Sequence, residues 1–321
     1  MNSPNQDFAF LDLHPPKDDT LSEVCASLGQ NAKSLSPKFF YDEKGSQLFE
    51  AITELEEYYP TRTELALFDA HLPEIAKLIG HSSCVIEYGS GSSLKIRKLL
   101  EALLPSAYVP VDISRDYLLS TATALSRDFS ELSVFPVCAD FTQDMALPAQ
   151  VSQLHRVGFF PGSSIGNFEP TQAREFIRQV GDTLGANGYF LVGVDCKKDP
   201  LVLERAYADA AGVTAAFNLN ALVHLNRELG ANFQLENFQH MARYNEQQGC
   251  IEMFLRSTRA QQVNIGDAVF DFEVGELLHT ENSYKYAPSE FMALAESAGF
   301  RCLKHWLDKD EYFGLYLLQA K

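Results

Sequence analysis

Cys84-Val-Ile-Glu-Tyr88 runs into Gly89-Ser-Gly91, and residues 92–104 follow with apolar side chains at helical spacing. A short apolar run that ends in glycines and opens a helix reads as a strand–turn–helix unit. Looser copies follow it. Tyr108-Val-Pro-Val-Asp112 reads as a second strand, with Ser114 as the N-cap of a helix reaching residue 125. Residues 134–139 form a third strand, ending at Asp140-Phe141. Val157-Gly-Phe-Phe160 forms a fourth, ending in Pro161-Gly-Ser-Ser-Ile-Gly-Asn167, and a helix over 171–184 stops at Gly185. Residues 188–194 form a fifth, ending at Asp195. This alternation between residues 84 and 195 predicts an α/β fold with a parallel, doubly wound sheet and right-handed crossovers. Such sheets bind ligands beyond the carboxyl ends of their strands. Every polar cluster quoted above lies at one.

Working outward, residues 1–20 are polar, carry Pro15-Pro16 and read as a surface arm. A helix is expected over 63–79, interrupted or restarted at Pro73. After Asp195 the alternation breaks. Helices are predicted over 200–217 and 221–229, strands over 249–257 and 268–274, and a polar, aromatic stretch over 275–286. A helix over 289–298 ends at Gly299, and strands over 302–307 and 312–319 are predicted to pair antiparallel at a sheet edge. The sheet therefore resumes after an insertion. That insertion and residues 20–80 are expected to cap the site.

The 321 residues allow one large domain or two coupled ones. With 46% hydrophobic and 21% charged residues, wholesale disorder is excluded. The net charge of −17 repels phosphate backbones and anionic membranes, and no basic patch offsets it. No nucleic-acid or membrane partner is expected, but a small cationic or zwitterionic substrate meets no long-range barrier. No stretch approaches the ~20 apolar residues of a membrane span. The amino-terminal residues lack the basic and apolar regions of a secretory signal. Six scattered cysteines without a CxxC read as free thiols of a cytoplasmic protein. Eight histidines without an HxxxH or HExxH pair give no metal site.

The strand ends carry the chemistry. Gly89-Ser-Gly91 lets backbone approach a ligand, and the helix after it offers free amides. The full dinucleotide pattern needs glycine at position 94, where Leu94 stands, which counts against a pyrophosphate. Glu87 would repel a phosphate but could hold an ammonium. Asp112 lies 23 residues beyond Gly89, where an acid grips a ribose hydroxyl. Asp140-Phe141 offers an acceptor and a ring to a purine. Taken singly, each acid could merely cap a helix or solvate a loop. As an ordered set without a diphosphate site, they fit S-adenosylmethionine better than NAD. A GxxxxGK[ST] phosphate loop is missing, and Gly162-Ser-Ser-Ile-Gly166 is one residue too long for a GxSxG nucleophile elbow.

Six motifs occur together in order: Lys38-Phe-Phe-Tyr-Asp-Glu-Lys-Gly-Ser46, Glu57-Tyr-Tyr-Pro-Thr-Arg-Thr-Glu64, Glu87-Tyr-Gly-Ser-Gly91, Pro110-Val-Asp-Ile-Ser114, Gly162-Ser-Ser-Ile-Gly-Asn-Phe168 and His279-Thr-Glu-Asn-Ser-Tyr-Lys-Tyr286. From about residue 18 onward the chain resembles the histidine-specific, S-adenosylmethionine-dependent methyltransferases of the ergothioneine pathway. The resemblance implies a class I methyltransferase, Rossmann-like sheet with a second, smaller substrate-binding domain. It implies a surface arm over 1–17, a discontinuous substrate-binding domain of 18–60 plus 197–286, and a donor-binding domain of 61–196 plus 287–321. The implied reaction is trimethylation of the α-amine of L-histidine to hercynine, by a monomer without a metal.

The resemblance also implies roles. Tyr41, Gly89, Lys95, Asp112, Asp140 and Phe141 surround the methyl donor. Tyr58, Asn167 and Tyr207 hold the amino and carboxylate end of histidine. Glu281 and Ser283 hold the imidazole, with Met253 lining the same pocket. Asn167 and Tyr41 are the catalytic candidates. Tyr41, Tyr58 and Phe168 are the rings offered to a methylated ammonium. Leu94 and Ile96 are apolar where some relatives are polar. Three alternatives stand beside this reading: methylation of another amino acid such as tryptophan, an NAD-dependent oxidoreductase disfavoured by Leu94 and Glu87, and a non-catalytic binding protein on the same fold.

Overall fold

The computed structural model describes residues 9–13, 17–80, 83–91 and 94–321. Its main sheet begins with seven strands that pair in parallel: β1 (Leu11–Asp12), β2 (Cys84–Tyr88), β3 (Ala107–Asp112), β4 (Ser133–Val134), β5 (Val137–Cys138), β6 (Arg156–Phe160) and β7 (Tyr189–Asp195). An insertion carries β8 (Phe238–Asn245), β9 (Cys250–Ser257), β10 (Gln261–Ile265), β11 (Ala268–Phe272) and β12 (Leu277–Tyr284). The chain then returns to the main sheet with β13 (Phe300–Leu307) and β14 (Phe313–Ala320). The strand order is β1-β5-β3-β2-β6-β7-β14-β13, with β4 also on β3.

The chain winds outward from β2 in one direction and crosses back to β6 to wind in the other. The β2/β6 boundary is the switch point, where a crevice opens beyond the strand ends. β2 and β14 are buried along their whole length. The helices are α1 (Lys17–Leu28), α2 (Glu43–Thr53), α3 (Tyr59–Ile79), α4 (Leu94–Leu103), α5 (Arg115–Asp128), α6 (Pro170–Leu184), α7 (Pro200–Tyr207), α8 (Val213–Leu229) and α9 (Pro288–Ser297). One buried cluster on the main sheet is built with α6 and α9, and another with α3, α4 and α5.

A third buried cluster joins residues 24–59 to residues 203–278, two segments far apart in the chain. Its sheet is antiparallel, in the order β12-β9-β8, and β10 and β11 pair beside it as a hairpin. One carboxylate ties the segments together. Asp42 caps α2 by accepting the Gly45 N–H at 2.7 Å, and also accepts from Asn220 Nδ2 at 2.8 Å and Arg227 at 2.7 Å, both on α8. Gly45 has to lack a side chain, because a Cβ there would fall 1.6 Å from the Phe40 carbonyl oxygen. Tyr41 stands between these anchored residues and is fixed by them.

Several elements differ from the sequence reading, each for a physical reason. The strand expected over 134–139 splits into β4 and β5 around Pro136, which has no N–H for the ladder. Pro73 does not interrupt α3: it sits on the exposed face near Asp69, where water meets the carbonyl it leaves unpaired. The helix expected over 200–217 breaks after Tyr207, and the left-handed Gly212 starts α8 at Val213. The pair expected at the sheet edge is there, with β13 outermost and β14 between it and β7, antiparallel to both. Leu11 and Asp12, expected in a surface arm, pair with Val137 and Cys138; residues 1–8 and 14–16 of that arm lie outside the described residues, as do Ser92 and Ser93. The polar stretch over 275–286 is the strand β12.

Glu64 of α3 is fully buried against β7 in a slot left by Gly193, where a Cβ would come 2.0 Å from Glu64 Oε1. Gly193→Ala is expected to cost about 1–3 kcal/mol by overpacking and to lower Tm by several degrees. Thermal denaturation checks this; an unchanged Tm would place Glu64 elsewhere.

Candidate functional site

Two left-handed residues in succession, Gly162 (φ 74°) and Ser163 (φ 59°), end β6 in a tight turn. The Ser163 hydroxyl accepts the Asp195 N–H at 2.9 Å, so the turn is pinned to the end of β7. A short 3₁₀ turn, Ser164–Asn167, follows and lies against β12. Gly166 makes that approach possible, because a Cβ there would be 2.6 Å from the Tyr284 carbonyl oxygen. The Asn167 side chain is thereby aimed across the strand ends at the cap.

A cavity with about 480 Å³ of empty space lies there. Its lining includes Tyr41, Tyr58, Asn167, Tyr207, Met253, Glu281 and Ser283, all seven candidates for histidine binding and catalysis. The pleat explains part of this convergence. Glu281 and Met253 are directly opposite each other on β12 and β9, and Ser283 lies two residues beyond Glu281 on the same face. Asn167 Nδ2 donates to Glu281 Oε2 at 3.3 Å, which leaves Asn167 Oδ1 as an acceptor for a ligand.

The walls are aromatic. Tyr41 stands edge-on to Phe217 at 5.5 Å and to Phe49 at 6.0 Å, and Tyr58 stands edge-on to Tyr207 at 6.3 Å. Phe168, also expected here, is not among the lining residues and instead packs half-buried against the sheet core, stacked 5.1 Å from Phe176. Phe49 and Phe217 take up the aromatic role.

Burial pushes Glu281 up to about 8, partly offset by the positive charge of Lys285. Burial holds the Tyr41 hydroxyl well above its ordinary value, reinforced by the carboxylates of Glu281 and Asp112. Tyr41 therefore keeps its proton at neutral pH and can serve as a hydrogen-bonding group but not as a base. It is also the residue that both carboxylates reach.

Asp112 ends β3, and its Oδ1 accepts the Ser114 N–H at 2.7 Å, doing the capping that the Ser114 side chain does not. Burial raises Asp112 to about 7. Gly89 (φ 72°) makes the turn after β2, and a Cβ on it would stand 3.6 Å from the Phe141 ring. Among the described residues, nothing lies within 4 Å of where a Gly91 side chain would begin. This is an open backbone cradle flanked by an aromatic ring and an acid. Asp140 holds Thr142 Oγ1 at 2.6 Å and lies 3.5 Å from Lys38 Nζ. Lys95 Nζ reaches Glu64 at 2.5 Å, and the same carboxylate accepts the Gly162 N–H at 2.9 Å. Lys95 is thus held at the turn between the two halves of the site. Glu87 is buried beneath the glycine turn and accepts from the Tyr108 hydroxyl. Among the described residues, no group of His, Cys, Asp and Glu could hold a metal ion, and no helix is long and apolar enough to cross a membrane.

The model of the family described as histidine-specific, S-adenosylmethionine-dependent methyltransferases matches residues 20–320. The chain belongs to that family. Among curated relatives, it is 41% identical to the histidine N-alpha-methyltransferase of Mycolicibacterium smegmatis, over 92% of this chain and 93% of that protein. It is 31% identical to ergothioneine biosynthesis protein 1 of Neurospora crassa, over 89% of this chain and 33% of that protein. It is 27% identical to a 4-dimethylallyltryptophan N-methyltransferase of Penicillium roqueforti, over 92% of both. The family's donor fits the glycine cradle with its flanking acid and ring.

One cluster escaped the sequence reading. Lys285 is fully buried, with Nζ 2.9 Å from Asp195 Oδ2, 2.9 Å from the Tyr207 hydroxyl and 2.8 Å from Ser283 Oγ. Lys198 Nζ is 2.6 Å from the same aspartate, and Tyr59 donates to it at 2.7 Å. Asp195 had been read as the end of a strand, and Lys285 falls inside a quoted motif at Ser283 plus two. Extended spacing puts Glu281, Ser283 and Lys285 on one side. That was the available signal.

A carboxyl whose folded pKa is raised favours the neutral form, so its contribution to stability is present below about 4.3, its unfolded value, and is lost as pH rises through about 8. The ligand-free Glu281→Gln variant is expected to gain Tm over the wild type as pH rises from 5 to 8.5. Melting curves across that range test the burial; a Tm difference independent of pH contradicts it.

Proposed function

We propose that this protein transfers methyl groups from S-adenosylmethionine to the α-amine of L-histidine, three times in succession, giving hercynine, the first step of ergothioneine biosynthesis. The observation that carries this is a single cavity in which an amide, a buried carboxylate and two hydroxyls meet between aromatic walls. The relatives' names support the substrate and the pathway.

Bound S-adenosylmethionine supplies a methyl group on a sulfonium, displaced in line by a nitrogen lone pair. The protein's task is to present that lone pair. An α-amine titrates near 8 in model peptides, so most of it is ammonium at pH 7. A neighbouring sulfonium lowers that value, because like charges disfavour each other. Asn167 Oδ1, left free by the bond from Nδ2 to Glu281, accepts one amine N–H and orients the nitrogen. Tyr41 and Tyr58 offer hydroxyls nearby, both held protonated by burial. No strong base is required, and orientation supplies several kcal/mol.

Trimethylation requires the nitrogen to rotate and its pocket to accept growing bulk. The rings of Tyr41, Tyr58, Phe49 and Phe217 suit a methylated ammonium through cation–π attraction. Glu281 and Ser283 read the two ring nitrogens, and Met253 fills the space beside them. Gly89, Asp112, Asp140, Phe141 and Lys95 hold the donor. We assign residues 18–60 plus 197–286 to substrate binding and residues 61–196 plus 287–321 to donor binding. The free cysteines suit the cytoplasm.

The test is incubation with S-adenosylmethionine and each of twenty amino acids, read by mass spectrometry. A gain of three methyl groups on histidine alone is expected; methylation of tryptophan in its place overturns the reading. Glu281→Ala is expected to raise KM for histidine at least about tenfold, the cost of unpairing a buried hydrogen-bonded group. Asp112→Ala is expected to weaken donor binding by calorimetry, and an unaltered affinity removes its ribose role.

A further inference from the structure

The buried cluster behind Ser283 fixes which way its hydroxyl points. An ammonium has three hydrogens and no lone pair. Those of Lys285 are taken by Asp195 Oδ2, the Tyr207 hydroxyl and Ser283 Oγ at 2.9, 2.9 and 2.8 Å. Both hydroxyl oxygens therefore accept from Lys285. They are also 2.8 Å from each other. A phenol is the more acidic of the two groups, so Tyr207 donates to Ser283. Ser283 Oγ then receives two hydrogen bonds, which fills its lone pairs. Its own hydrogen has one direction left, into the cavity that it lines.

We propose that Lys285 is a positioning residue that makes Ser283 an obligatory donor, so that the site selects the neutral imidazole ring of its substrate and rejects the imidazolium. This rests on the functional reading above. A neutral imidazole has one N–H and one bare nitrogen. Glu281 accepts the N–H, and Ser283 donates to the bare nitrogen. An imidazolium presents two N–H groups, and the second would meet a hydroxyl with no lone pair to offer.

Electrostatics acts in the same sense. Lys198 and Lys285 carry two positive charges against the single one of Asp195, which leaves a net positive charge behind the hydroxyl pair. Like charge disfavours a second cation there. Glu281 pulls the other way, since burial raises it to about 8 and a basic ring would otherwise draw its proton. The committed hydroxyl blocks that transfer, because the protonated ring would lose its second partner. The other titratable groups around the cluster stay neutral at pH 7: Tyr58 before α3, Tyr59 of α3, Cys196 after β7, Tyr207 of α7, Tyr244 of β8 and Cys250 of β9 are all raised by burial.

The hydrogen-bond tally has a measurable consequence. Forming the complex from a protonated Glu281 and a neutral ring requires one proton to leave. Were Ser283 free to accept, that proton could move to the ring and stay. Histidine binding to the wild-type enzyme is therefore expected to weaken about tenfold when pH falls from 7.5 to 6.5, one proton being worth a factor of ten per unit. Lys285→Met removes one hydrogen bond to Ser283 and leaves Asp195 paired with Lys198. Tyr207→Phe frees a lone pair on Ser283 without touching the buried ion pair, and serves if Lys285→Met fails to fold. In either variant the ratio of the two dissociation constants is expected to fall towards one.

Titration calorimetry with histidine at the two pH values decides it. A wild-type ratio near one, or variants that keep the wild-type ratio, overturns the proposal. Should the wild-type protein neither bind nor methylate histidine, the functional reading fails first; should it methylate histidine with variants of unchanged ratio, only the role of Lys285 fails.

Discussion

The ammonium of Lys285 and the carboxylate of Asp195, both inaccessible to water, form the interaction on which the site depends. A buried ion pair adds little net stability, because each ion loses its hydration, yet removing one partner leaves a charge that the interior cannot tolerate. The pair therefore acts as a geometric constraint. Asp195 ends β7 of the main sheet, and Lys285 follows β12, the last strand of the insertion. Their contact fixes the cap to the sheet at the place where the cavity opens. The remaining hydrogens of Lys285 reach Tyr207 and Ser283, so the same contact sets the hydroxyls that face the ligand.

A second buried carboxylate does comparable work on the donor side. Glu64, from the long helix after the first cap segment, enters the slot at Gly193 and holds both Lys95 and the Gly162 amide. The turn it steadies contains two left-handed residues and leads directly to Asn167. Lys95 and the turn that carries Asn167 thus share one support. Tyr41, fixed by the Asp42 network and within electrostatic reach of both Asp112 and Glu281, spans the two halves. The chemistry needs this continuity, since a methyl group moves only between atoms already aligned.

The main sheet was legible because its strands obey simple periodicity: apolar runs, glycine turns and helices with apolar faces. The cap was not, and β12 shows why. Glu281 and Ser283 point inward, but inward there means into a cavity, so the usual rule of apolar residues facing the core inverts. A strand whose buried face is polar reads as a loop. The same inversion hid Lys285, for a lysine in a polar stretch is ordinarily solvated. Phe168 failed in the opposite sense, because an aromatic beside Asn167 looked like a wall of the site and proved to be core. Phe49 and Phe217, which no motif singled out, line the cavity.

Linear order alone determined the doubly wound sheet, the glycine turn, the acids at successive strand ends and, through its motifs, the family. These follow from local spacing, which the backbone enforces wherever the strands end. Tertiary structure decided which buried charges meet, which hydroxyls cluster with them and which rings line the cavity. Those depend on contacts between residues 64 and 95, 195 and 285, and 167 and 281, and no local periodicity encodes a contact made by two segments that fold against each other from distant parts of the chain.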